Sequence, residues 1–132
     1  MAVIRQRVQA NVDLALDTQP YSGGLTTCEA LWMGVPVITF PGQTFAGRHA
    51  YSHLMNASYP QFVASDLPGY IDLAAGWASR LEELAALRAG MRDQVWRSPL
   101  CDAPRFARDL LAVLQQAWQS RAGLAASINV ER

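Results

Sequence analysis

The run "VPVITF", residues 35–40, constrains the fold more than any other stretch of this 132-residue chain. It is apolar without alternation, rich in β-branched residues, and bounded by Gly34 on one side and Pro41-Gly42 on the other. A strand of that kind is covered on both faces, which is the habit of parallel sheets. Parallel strands need crossovers, usually helices. The flanking sequence supplies them. "VDLAL", residues 12–16, places Val12, Leu14 and Leu16 on one side of a strand that ends at Asp17. A glycine turn follows, then a helix predicted over 27–33 with Gly34 as its stop. A second helix fits 44–55, and "QFVAS", 61–65, is a weaker strand. Strand, helix, strand, helix, strand predicts the α/β class with a parallel sheet, right-handed crossovers and flanking helices.

The remainder reads as helical, from about residue 70 to 132. Ile71, Ala74, Ala78, Leu81, Ala85 and Met91 recur at helical spacing over 70–96, and Ser98-Pro99 breaks the pattern. Asp102 can cap a final helix with Pro104 in its first turn, carrying Phe106, Leu110, Val113 and Ala117 on one stripe. Three strands are few for an open α/β sheet. Residues 1–132 therefore read as one partial domain, the second half of a larger unit.

Composition excludes several functions. Eleven basic residues balance eleven acidic ones, so the basic excess of a nucleic-acid binder is missing. The apolar runs stop short of membrane-spanning length, and "MAVIRQR" holds no apolar signal core. Cys28 and Cys101 lie far apart in sequence without metal-ligand spacing, which reads as two reduced thiols. A cytoplasmic protein is expected, with neither nucleic acid nor membrane as partner.

The stretch "PYSGGLTTCEALW", residues 20–32, has two readings. A strand, a glycine turn and a helix N-terminus together make an anion seat, because the first N–H groups of a helix lack internal partners and carry its positive end. Gly23 and Gly24 would let a phosphate approach, Thr26 and Thr27 would add hydroxyls, and Glu29 would reach two ribose hydroxyls. The rival reading is a capping box, Thr26-x-x-Glu29, which needs no ligand. The dinucleotide fingerprint Gly-x-Gly-x-x-Gly is absent.

The longer string "DLALDTQPYSGGLTTCEALWMGVPVITFPGQTFAGR", residues 13–48, resembles the C-terminal catalytic region of the O-linked N-acetylglucosamine transferases and their bacterial and SPINDLY-like relatives. A weaker likeness continues through "SPLCDAPRFARDLLAVLQQAW". The resemblance implies a Rossmann-like, partial C-terminal domain of a GT-B glycosyltransferase. It implies UDP-N-acetylglucosamine as donor substrate, an acceptor protein as partner, and no cofactor or metal. Carried over by position, Gly23, Gly24, Leu25 and Thr26 belong to the loop at the diphosphate. Glu29 takes the place of a ribose-binding aspartate, and Arg5 falls near a position that contacts the uracil. Leu25 stands where a threonine is common, Gly24 where the animal enzymes have histidine, Gln43 where glutamate is frequent and Gly47 where serine is.

The resemblance also places the N-terminal GT-B domain, the acceptor-binding repeats and the lysine that neutralises the leaving diphosphate upstream of these residues. No catalytic residue is assigned to this chain, and the chain alone is expected to be inactive. A sheet short of its upstream strands would leave an edge open to self-association. The alternative is a non-catalytic truncated paralogue acting as a protein-interaction module. His49 and His53, at i and i+4, read as packing or surface histidines rather than a metal pair. Arg48 matches a family arginine and equally suits a helix surface. Trp32, Trp77, Trp96 and Trp118 read as core or seam cover, and "RLEELAALR" as the solvated face of a packed helix.

Overall fold

The computed structural model describes residues 11–130, with side chains described for 11–121; Arg5 lies outside them. Two short strands, β1 (Ala15–Leu16) and β2 (Val37–Ile38), pair in parallel with Ala15 opposite Val37 and Leu16 opposite Ile38. The connection between them is α1 (Leu25–Trp32), so this is the expected strand–helix–strand unit. β2 is shorter than its apolar run because Pro36 has no N–H to pair; its carbonyl accepts the amide of Ala15 at 2.9 Å instead. The third strand shrinks to a single parallel bridge, Thr39 to Val63, because Pro60 opens a 3₁₀ turn at Pro60–Phe62.

β2 is buried on both faces, as a continuous apolar run requires. Ile38 enters a large cluster with Leu31, Leu54, Phe62, Trp77, Leu84, Met91 and Val95. Val37 enters a smaller one with Ala30 and Val35. β1 is covered unevenly. Leu14 packs on the large cluster and Val12 and Ala15 on the small one, but Leu16 is exposed, against the expected single-sided alternation.

Helix α1 stops as the sequence predicts. Gly34, at φ +77°, donates to Leu31 O at 3.1 Å and Val35 to Ala30 O at 2.8 Å, the paired bonds of a Schellman end. A 3₁₀ turn (Ala46–Arg48) leads into α2 (His49–Asn56). The helix expected over 70–96 is two helices, α3 (Leu67–Ala78) and α4 (Leu81–Arg97). Asp66 caps α3 by accepting the Gly69 amide at 2.8 Å. The break comes from side chains. Ser79 Oγ and Arg80 Nε both donate to Gly76 O, at 2.9 and 3.0 Å, while the Arg80 guanidinium lies 4.0 Å from the Trp77 ring centroid. The buried stripe changes accordingly. Ile71, Ala78, Leu81 and Ala85 are exposed, and Leu73, Trp77, Leu84, Met91 and Val95 face the core. Of the four tryptophans only Trp77 is core; Trp96 and Trp118 are largely exposed.

The chain divides between Cys101 and Asp102 into two compact units. The second is helix α5 (Ala103–Val130), where Asp102 accepts the Arg105 amide at 3.0 Å, as a cap there should. Among the described residues no helix is long and apolar enough to cross a membrane.

Candidate functional site

Where β1 ends, the chain buries a carboxylate. Asp17 is 8% exposed, and three donors converge on it. Ser22 Oγ and Thr39 Oγ1 donate to Oδ2 at 2.7 and 2.6 Å, and the Gly23 amide donates to Oδ1 at 2.7 Å. Its carbonyl accepts the Tyr70 hydroxyl at 2.7 Å, and its own amide donates to Ile38 O at 2.9 Å. A buried carboxylate is tolerated only with such partners. One side chain thus ties the ends of both strands to the glycine turn. The sequence reading took Asp17 only as a strand stop.

Ser22 extends the tie. Its Oγ accepts the Ala50 amide at 2.9 Å, and Ala50 is in the first turn of α2. The Ser22 amide donates to Ala46 O at 2.9 Å. The turn between β1 and α1 is therefore fixed against the start of α2.

The two glycines have different reasons to be glycine. A Cβ on Gly23 would sit 2.7 Å from Thr27 Oγ1 and 2.9 Å from Thr26 Oγ1, so close packing excludes a side chain. Gly24 meets only His49 Nδ1, at 3.6 Å, which is ordinary contact, and its backbone (φ −89°, ψ −94°) is not left-handed. Gly24 is the N-cap residue of α1, and no side chain caps it. The capping box is thereby corrected. The helix starts at Leu25, two residues earlier than expected, and Thr26 and Glu29 are both inside it. Thr27 Oγ1 instead donates back to Gly23 O at 2.7 Å.

Gly23, Gly24, Leu25 and Thr26 come together at this end of α1, where the amides of Leu25 and Thr26 precede any carbonyl of their own helix. Leu25 and Thr26 are exposed there. Glu29 lies one turn further on and lines a groove of about 320 Å³ with Leu25, Cys28, Trp32, Met33, Val95, Leu100 and Cys101. The two thiols, distant in sequence, share that groove. Burial, and after it the neighbouring Cys101, push the Cys28 thiol above its ordinary range.

Beside Gly24, His49 sits among rings. Tyr21 stacks on it at 6.1 Å between centroids, Phe45 meets it edge-on at 4.7 Å, and His53 lies at 6.5 Å. Arg48 donates to Gly42 O at 3.3 Å and lies over the Tyr51 ring. Among the described residues no three His, Cys, Asp or Glu side chains gather as a metal site.

The model of glycosyl transferase family 41 matches residues 3–110. The chain belongs to that family. A SPINDLY protein of Eustoma exaltatum subsp. russellianum, named as a probable UDP-N-acetylglucosamine–peptide N-acetylglucosaminyltransferase, is 40% identical over 107 residues. The match takes in 81% of this chain and 12% of that protein. A Caenorhabditis elegans UDP-N-acetylglucosamine–peptide N-acetylglucosaminyltransferase is 31% identical over 107 residues, 81% of this chain and 9% of the relative. A solved structure of a mutant O-GlcNAc transferase from Thermobaculum terrenum superposes with a TM-score of 0.77 at 37% identity, over 87% of this chain and 22% of that one. The chain thus spans a small part of the length of the family 41 proteins it matches.

The matched residues contain both the glycine turn and the Asp17 cradle beneath it. Sequence reasoning found the turn from its glycines and threonines. It took Asp17 only as a strand stop and His49 only as a packing or surface histidine, and it missed Ser22 and Thr39. The one sequence signal was Asp17 and Thr39, polar residues at or near the ends of apolar runs.

Proposed function

We propose that this chain is the UDP-sugar-binding part of a protein O-glycosyltransferase of GT-B architecture, transferring N-acetylglucosamine from UDP-N-acetylglucosamine to serine or threonine of an acceptor protein. The observation that carries the reading is the Asp17-held turn at the start of α1. Its backbone is fixed before any ligand arrives, so little ordering is left to oppose binding. The diphosphate would lie across Gly23, Gly24, Leu25 and Thr26, with the amides at the helix end directed at its oxygens. Glu29 would accept from two ribose hydroxyls in the groove beside Leu25. In the intact enzyme the acceptor hydroxyl oxygen would attack the anomeric carbon and release its proton to solvent, the bond to the diphosphate would break, and UDP would leave with its new charge held at the helix end. The second wall of the cleft belongs to an N-terminal domain that this chain would meet as partner. No metal is required by this scheme.

Calorimetric titration with UDP tests the reading. The parent chain should bind weakly, and Glu29→Gln should lower the affinity about tenfold while leaving the melting temperature nearly unchanged, since two charge-assisted hydrogen bonds are weakened. A parent chain that binds no UDP at high ligand concentration overturns it. Sugar transfer by the chain alone to any acceptor peptide would contradict the assignment of the remaining machinery to a partner domain.

A further inference from the structure

Beside Gly24 stands a histidine whose surroundings are built rather than incidental. His49 Nδ1 is the nearest atom to the bare face of Gly24, 3.6 Å from where a Cβ would stand. Three rings hold the imidazole. Tyr21 is nearly parallel to it at 22°, and Phe45 and His53 approach edge-on at 66° and 64°. Tyr21 and Phe45 are themselves 69% and 85% exposed, so the rings line an open surface rather than a core. The backbone beneath is fixed too, because Ser22 binds the amide of Ala50, the residue after His49.

The electrostatics favour an anion. The groove beside this cluster, about 500 Å³, is lined by Phe45, Arg48, His49, Tyr51, Ser52 and His53, and none of these is a carboxylate. Arg48 is engaged with Gly42 O and the Tyr51 ring. Burial and the nearby His49 hold His53 below the usual imidazole range, and it is His49 Nδ1 that stands beside Gly24.

We propose that His49 is a binding residue of the donor site, donating its Nδ1–H to a diphosphate oxygen of the nucleotide seated on Gly24, Leu25 and Thr26. The inference rests on the reading of that turn as the diphosphate seat. The missing side chain at Gly24 is what leaves the imidazole access to the ligand. Tyr21 and Phe45 set the ring plane, so the donor is oriented before binding and gains affinity for that reason.

The test compares UDP with uridine, which lacks the phosphates. His49→Phe keeps an aromatic ring in the stack and removes the donor; His49→Gln restores an N–H. Titration calorimetry should show UDP affinity falling about tenfold in His49→Phe, as for loss of a hydrogen bond to a charged group, with partial recovery in His49→Gln. Uridine binding should be equal in all three proteins, and thermal melts check that each is folded. The His49 imidazole nitrogen resonances of the parent should move on adding UDP and stay in place with uridine. UDP affinity unchanged in His49→Phe, or His49 resonances that do not respond to bound UDP, overturns the inference and leaves the glycine-turn reading standing. A parent chain that binds no UDP overturns both.

Discussion

Asp17 accepts the backbone amide of Gly23 at 2.7 Å, so the turn that precedes α1 hangs from a carboxylate at the end of β1. The same carboxylate takes the Ser22 and Thr39 hydroxyls. Asp17→Asn keeps the volume but turns one acceptor oxygen into an NH₂ group that faces donors. We expect a loss of about 2–4 kcal/mol, the range for charged hydrogen bonds and an unpaired buried group. Urea denaturation would measure it, and a variant within about 0.5 kcal/mol of the parent would show the cradle to be redundant.

The paired glycines should respond differently to one methyl group. Gly23→Ala places a Cβ 2.7 Å from Thr27 Oγ1, which is tied to the Gly23 carbonyl, and should destabilise by about 1–3 kcal/mol, as overpacking does. Gly24→Ala meets nothing closer than 3.6 Å and should melt within a few degrees of the parent. Its cost is expected in ligand binding, since the methyl group stands between His49 and the turn. Equal melting temperatures for the two variants would contradict the packing account.

The pH dependence of stability has a sign. The His53 imidazole is held below its ordinary 6.5 by burial first and by His49 second, so the folded state disfavours its protonation. The unfolded chain takes the proton first as pH falls. Stability should therefore decline as pH drops through about 6.5 and level off below the folded value. Melts of the parent and His53→Gln at about pH 7.5 and about pH 5.5 check this, with the smaller drop expected in the variant.

The thiols should separate by rate. Cys28 is partly buried with a raised pKa, and Cys101 is exposed. Iodoacetamide at neutral pH should label Cys101 well before Cys28, because the thiolate is the nucleophile. Mass spectrometry of peptides over a time course reads the order. Faster labelling of Cys28 would mean that the groove opens more than the structure indicates.

The parallel strand pair and α1 were legible because their signals are local. "VPVITF" has no polar face to offer water, and Gly34 follows the helix directly. The cradle was not, because its members are 5, 6 and 22 residues from Asp17 and only the fold brings them together. The same holds for the break between α3 and α4. Residues 70–96 keep a helical period through it, and the stop is made by Arg80 folding back over Trp77. The capping-box spacing at Thr26 and Glu29 was legible and misleading. Thr27 bonds backwards to Gly23, and the helix had already begun at Leu25.

The bond from the Ala50 amide to Ser22 Oγ bears on how this part of the chain opens in solution. A helix start ordinarily frays, and its first amides exchange with solvent through local openings that cost little. Ala50 is fully buried, and its acceptor is held in turn by Asp17. Its proton should exchange only when β1, the turn and α2 come apart together. That amide would then report global unfolding from a position where a solvent-labile first turn is the usual expectation, and deuterium uptake at Ala50 should track that of the β2 amides rather than that of α2's other end.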